Sequence, residues 1–171
     1  MRLATVTHEG QAKTVAALEN EILLDLRKAA EATGQDGAIF VDMLTLINAG
    51  QGGLEVARAL IVAPDQAATI AVTDVSFMPP IMPVQYRDCL VFEEHLINGF
   101  AQVEKISGNK MAIPKVWYEQ PIYYKGNRMS FIGHGADVQW PNYAEHLDIE
   151  LEMAIIVGKT GKDISVADGP S

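Results

Sequence analysis

Cysteine is almost missing from this chain: Cys89 is the only one in 171 residues. No internal disulfide can form, and a reducing, cytoplasmic setting is the expectation. Basic residues are scarce too, with 13 Lys and Arg against 22 Asp and Glu and a formal net charge of -9. No basic cluster is long enough to follow a phosphate backbone, so nucleic acid is not an expected partner. Long apolar runs are absent, because Pro79, Pro80 and Pro83 break the best candidates before the roughly 18 residues that a membrane span needs. The first ten residues lack the charged and apolar regions of a secretory signal. What is there is 49% hydrophobic residues, enough to bury a core. The length suits one domain, or a small domain joined to part of a larger one.

Residues 2–7 and 12–18 read as two strands around a turn at His8-Glu9-Gly10-Gln11, where Gly10 is free to take positive φ. A third short strand is expected at residues 22–25, then a helix over 26–33 with Gly34 as its C-cap. One long helix over residues 13–32 is the competing reading. Further helices are expected over 40–48 and, after the Gly50-Gln51-Gly52-Gly53 break, over 54–61. Three prolines between 79 and 83 stop any regular element, and the domain boundary is placed there. Asp88 is expected to cap a helix running from 89 to 105, with Cys89 buried in it. Strands are expected at 129–132 and 137–140.

The stretch 147–158, LDIELEMAIIVG, is the most informative. Its first seven residues alternate apolar and acidic, which in a strand puts Asp148, Glu150 and Glu152 on one face. Glu150 and Glu152 would stand roughly 6.5–7 Å apart along that strand, a costly pairing unless solvent or a cation screens it. Residues 153–157 form the continuous apolar run of a strand buried on both faces. A carboxylate pair leading into a buried strand suggests a metal site. An amphipathic edge strand with a solvated acidic face explains the alternation equally well.

Asp88 and His95 are seven residues apart, two helical turns. If both were helical their Cα atoms would lie about 10 Å apart, too far to share one water unless Asp88 precedes the helix. A plain N-cap and a surface histidine are the structural alternatives. Cys89 has no neighbouring Cys or His at zinc spacing. Gly158-Lys159-Thr160-Gly161-Lys162 lacks the spacing of a phosphate loop.

Taken together, RDCLVFEEH (87–95), PIYYKGNR (121–128) and LDIELEMA (147–154) occur in the order and rough spacing that resemble the fumarylacetoacetate hydrolase family. The resemblance covers about residues 79–165. It implies an α+β chain: a small N-terminal α/β domain over residues 1–78, then over 79–171 the N-terminal part of a mixed-β, fumarylacetoacetase-like catalytic domain.

The resemblance also implies chemistry. Asp88, Glu150 and Glu152 match three ligands of a Mg²⁺ or Ca²⁺ site, and an all-oxygen set is what a hard cation prefers. His95 matches the general base that activates water, a task suited to an imidazole because it titrates near neutral pH. Tyr124 matches a substrate-contacting tyrosine, while Lys125 and Arg128 are carboxylate binders by charge. The expected reaction is hydrolysis of a C–C bond in a 1,3-dicarbonyl 2-oxo acid, such as fumarylacetoacetate or an acylpyruvate. Sibling decarboxylases, isomerases and hydratases are the alternatives, as is an inactive fragment or half of a split enzyme acting as a cation-binding module. Leu90 stands where the fumarylacetoacetases carry a tyrosine, which disfavours that one substrate. Against that family the chain is expected to be the front part of an enzyme, working as a homodimer or with a missing C-terminal half.

Overall fold

The computed structural model describes residues 1–169. They divide into two compact units, Met1–Ile81 with the segment from Ile132 onward, and Met82–Phe131.

The first unit is built on a curled antiparallel sheet in the order β4-β3-β2-β1-β5. Strands β1 (Leu3–His8) and β2 (Gln11–Ala17) form the expected hairpin, with His8 opposite Gln11. The two turn residues, Glu9 and Gly10, have φ of 50° and 75°, as in the tight turn whose twist matches the strands it joins. The long-helix alternative for residues 13–32 is thereby excluded. Strand β3 (Ile22–Asp25) pairs with β2 on one side and with β4 (Thr69–Ala71) on the other, and β5 (Ser76–Phe77) closes the far edge against β1.

Side chains on a strand alternate between faces, and both faces of this sheet are covered at its centre. Ala16 and Leu24 pack with Leu26, Ala29, Ala30, Phe40, Met43, Leu46, Ala57 and Leu60 beneath the helices. Val15 and Leu23 face the other way, with Val6, Val72, Val75 and Phe77.

Helix α1 (Leu26–Ala32) starts at Asp25, whose Oδ1 accepts from the Lys28 amide at 3.1 Å. It stops before Gly34, which takes φ +72°. Oδ2 of Asp25 accepts from Lys13 Nζ at 2.6 Å, and the carboxylate is 5% exposed. One side chain thus joins the hairpin to the helix. Asp25→Ala removes the cap and strands Lys13, and is expected to cost about 2 kcal/mol. In a chain of this size that lowers Tm by about 4–8 °C; an unchanged melting curve would refute the role.

Helix α2 (Met43–Asn48) is shorter than the expected 40–48 element, with a single 3-10 turn at Gly37–Phe40 ahead of it. Helix α3 (Gly50–Val62) begins inside the glycine run that was expected to be a break. Packing explains this. A Cβ on Gly53 would lie 2.8 Å from Ala49 Cβ and 3.1 Å from Leu46 Cδ1, so the bare glycine is what lets α2 and α3 approach. That gain outweighs the roughly 1 kcal/mol by which glycine disfavours a helix interior.

The alternating stretch 147–158 takes no strand, contrary to expectation. Leu151 and Met153 are almost wholly exposed, and Ile155 and Val157 nearly so. A strand closes its backbone hydrogen bonds only against a neighbour, and among the described residues none pairs with this one. The strands expected at 129–132 and 137–140 are absent as well. Asn127 caps a 3-10 turn at Arg128–Ser130 instead, its Oδ1 accepting from the Met129 amide at 3.0 Å.

Candidate functional site

In the second unit, the proline segment leads into β6 (Asp88–Cys89), which pairs antiparallel with β7 (Tyr123–Tyr124). Asp88 is therefore not a helix cap. The Leu90 amide donates to Ile122 O at 3.0 Å, extending the ladder and delaying the helix. Helix α4 (Glu93–Ser107) begins only after Phe92, which offers no side-chain cap. Glu93 and Glu94 occupy its first turn, where acidic residues complement the positive end. The helix ends at Gly108, with φ +73°. Cys89 is exposed, correcting the expectation that it is buried.

Asp88 stands directly opposite Tyr124 in the ladder, and Cys89 opposite Tyr123. Opposite residues share a face, so Asp88 and Tyr124 lie together on one side. Arg87 lies on the other, its guanidinium 5.0 Å from the centre of the Tyr123 ring. Helix α5 (Val116–Glu119) is tied to the end of β6 by Trp117 Nε1, which donates to Leu90 O at 2.8 Å.

On the Tyr124 side lies a cleft of about 350 Å³, lined by Tyr86, Tyr124, Gly126, Asn127, Ser130 and Phe131. Sequence reading singled out Tyr124 but missed Tyr86 and Phe131. Only the aromatic, glycine-punctuated character of residues 123–128 pointed towards the region. Arg128 turns to Pro83 O at 3.3 Å, and Lys125 is exposed. His95 is exposed in the first turn of α4, preceded in the chain by Asp88 in its strand. Glu150 and Glu152 are exposed in the irregular stretch of the first unit. The other principal cleft, about 380 Å³ around Lys13, Asp25 and Phe40, contains none of the expected site residues.

Three carboxylates are the right donor chemistry for Mg²⁺ or Ca²⁺. Among the described residues, however, no three His, Cys, Asp or Glu side chains are gathered to hold a metal ion.

The Tyr118 hydroxyl donates to the Glu93 carboxylate. That hydrogen bond, with smaller contributions from desolvation and the Glu93 charge, raises the phenol above the ordinary tyrosine range. The phenol holds its proton more tightly folded than unfolded. Its stabilising effect is therefore complete below the ordinary tyrosine pKa and lost as pH rises through the raised folded value. Glu93→Ala is expected to bring the Tyr118 titration down. Ultraviolet phenolate titration, with Tyr118→Phe identifying the contributing ring, checks this; an unmoved titration would remove Glu93 as the cause.

Residues 92–170 match the family described as fumarylacetoacetate (FAA) hydrolase C-terminal. Oxaloacetate tautomerase FAHD2A, mitochondrial, from Homo sapiens is 25% identical over 126 residues, covering 74% of this chain and 36% of that protein. The corresponding Fahd2a protein from Rattus norvegicus is 26% identical over 133 residues, covering 78% of this chain and 38% of its own length. The chain thus spans just over a third of the length of these relatives.

Proposed function

Because the chain belongs to the fumarylacetoacetate hydrolase family, we propose that it carries part or all of an enzyme acting on the enolisable carbon skeleton of a 2-oxo acid. The observation that carries this reading is the family match over residues 92–170. That segment includes His95, Tyr124, Lys125, Arg128, Glu150 and Glu152.

In the hydrolytic reading, His95 takes a proton from water and the hydroxide adds to the acyl carbonyl of a 1,3-dicarbonyl acid. The C–C bond breaks, its electron pair leaves as the enolate of the 2-oxo acid, and a proton completes that product. Tyr124 contacts the substrate, and Lys125 and Arg128 bind its carboxylate. By their match to the family's motifs, Asp88, Glu150 and Glu152 are the residues proposed to hold Mg²⁺ or Ca²⁺, a cation that would supply Lewis-acid stabilisation of the enolate when bound. The domain assignment that goes with this is residues 1–78 as a small N-terminal domain and 79–171 as the N-terminal part of the catalytic domain.

The tautomerase activity for which the relatives are named favours a second reaction on the same skeleton. In keto–enol tautomerisation His95 would move a proton between the carbon beside the ketone and the solvent or substrate oxygen, breaking or forming a C–H bond and leaving every C–C bond intact. Supplying the purified chain with an acylpyruvate and, separately, with oxaloacetate, each with Mg²⁺, with Ca²⁺ and with chelator, separates the readings. Cation-dependent release of pyruvate together with the carboxylic acid from the acylpyruvate supports hydrolysis; accelerated enol–keto exchange of oxaloacetate without cleavage supports tautomerisation. Neither, at concentrations where the chain is folded, would sink both.

The exposed alternating stretch 147–158 supports a further part of the proposal, association as a homodimer or with a polypeptide completing the fold. Exposed apolar segments of strand-like pattern invite such pairing. Sedimentation showing a monomer alone would count against the homodimer. No helix among the described residues is long and apolar enough to cross a membrane. A cytoplasmic location is proposed from the cysteine usage, and fractionation with the mitochondria, where the relatives' names place those proteins, would overturn it.

A further inference from the structure

Where strand β3 ends, the first unit opens a cleft to which the 2-oxo acid reading gives no task. The β2–β3 register begins with Val15 opposite Asp25, so residues 11–14 of β2 run on past the end of β3 while the chain turns away into α1. A cleft of about 380 Å³ occupies that gap, with residues 11–14 on one side and Arg27, Lys28 and Glu31 of α1 on the other. Its charged lining is three cations, Lys13, Arg27 and Lys28, against two carboxylates, Asp25 and Glu31. The surplus is positive in a chain whose formal net charge is -9.

These charges are not equally committed. Asp25 is balanced already, by Lys13 Nζ at 2.6 Å and the Lys28 amide at 3.1 Å. Arg27 meets Glu31 through Nε at 3.0 Å, which leaves its two Nη groups, among the described residues, for another acceptor. Lys28 gives one ammonium proton to Ala67 O and keeps two. Thr14 adds a buried donor. It shares a face of β2 with Ala16, which packs beneath the helices, and it lines the cleft while only 1% exposed. Its hydroxyl has no hydrogen-bond partner among the described residues, and a buried hydroxyl left unpaired is costly. A guanidinium fork, an ammonium and a hydroxyl are the donors that hold the oxygens of a phosphate or carboxylate. We propose that this cleft binds a small oxyanion, the phosphate or carboxylate group of a metabolite-sized ligand, with Arg27 and Lys28 supplying the charge and Thr14 the buried hydroxyl. None of the residues proposed for catalysis lines it, so the site stands or falls independently of the proposed function.

Thermal melting of the full chain, titrated with inorganic phosphate, with malonate and with sodium chloride at matched ionic strength, tests the site without needing turnover. The bound anion, at ten times its dissociation constant, is expected to raise Tm by about 3–10 °C above the chloride control. Arg27→Gln weakens that binding by about ten- to a hundredfold, and Thr14→Val by about three- to tenfold. Thr14→Val carries a second readout. Removing an orphaned hydroxyl raises Tm in chloride whatever its role, but only a ligand contact also loses part of the anion's effect. A response to phosphate alone identifies a phosphorylated ligand, and a response to malonate identifies a carboxylate. Should Thr14→Val fail to fold, Arg27→Gln decides, because Arg27 is exposed on α1 and its replacement leaves the core intact. No rise beyond chloride with either anion, or a rise undiminished by Arg27→Gln, would overturn the site. An anion effect that Thr14→Val leaves intact would remove the hydroxyl from it.

Discussion

His95→Ala is expected to lower turnover of the 2-oxo acid by about 10²–10⁴-fold, the usual contribution of a positioned general acid–base group. The effect should fall on kcat. The imidazole is proposed to move a proton in the transition state, whereas Tyr124, Lys125 and Arg128 are proposed to bind the substrate. His95 sits on the exposed side of the first turn of α4, next to the buried Leu96, so removing the imidazole leaves the core contact of that turn in place. The variant should therefore melt close to the unmodified chain, and steady-state kinetics alongside a melting curve separate chemistry from folding. Turnover within a factor of a few of the original would take His95 out of the mechanism. Equal increases in KM for all substrates, with kcat untouched, would make it a binding residue.

Phe40→Ala is expected to cost about 3–5 kcal/mol, because a large ring is removed from a site whose neighbours cannot all collapse into the space. Phe40 is 1% exposed and packs in the same cluster as Leu24, Leu26, Leu46 and Leu60. It is the last residue of the 3-10 turn that Asp36 caps, so the ring joins that turn to the sheet and helices at once. In a chain of this length the loss lowers Tm by roughly 6–20 °C. Differential scanning calorimetry checks this. A fall of only a degree or two would mean that the core beneath the sheet is looser than its burial implies.

The elements readable in advance are those whose signals are local. The hairpin followed from alternation on either side of Gly10, and Gly10 takes the positive φ that its turn requires. The stop of α1 before Gly34 and of α4 at Gly108 follows from the same property of glycine. Likewise, the absence of regular structure across Pro79, Pro80 and Pro83 needs only the geometry of one ring. Of the candidate site, sequence named Asp88 and Tyr124 separately, and their motif order pointed to the family that the later match supports.

Other features depended on partners distant in the chain. Whether Asp88 capped a helix or joined a ladder was decided by residues 122–124, which offered the backbone of 88–90 an antiparallel neighbour. Gly53 belongs to a helix because its missing Cβ makes room for Leu46 and Ala49. Tyr86 and Phe131, 45 residues apart, form a cleft wall only because the ladder brings their segments together. The stretch 147–158 shows the reverse. Its alternation specifies which side chains would share a face, but a strand also needs a neighbour for its amides and carbonyls, and no described strand supplies one. Sequence by itself thus determined the turns, stops and periodicities, each a property of neighbouring residues. Tertiary structure alone decided pairing and burial, because a hydrogen-bond ladder and a packed ring require a second segment whose arrival no local pattern encodes.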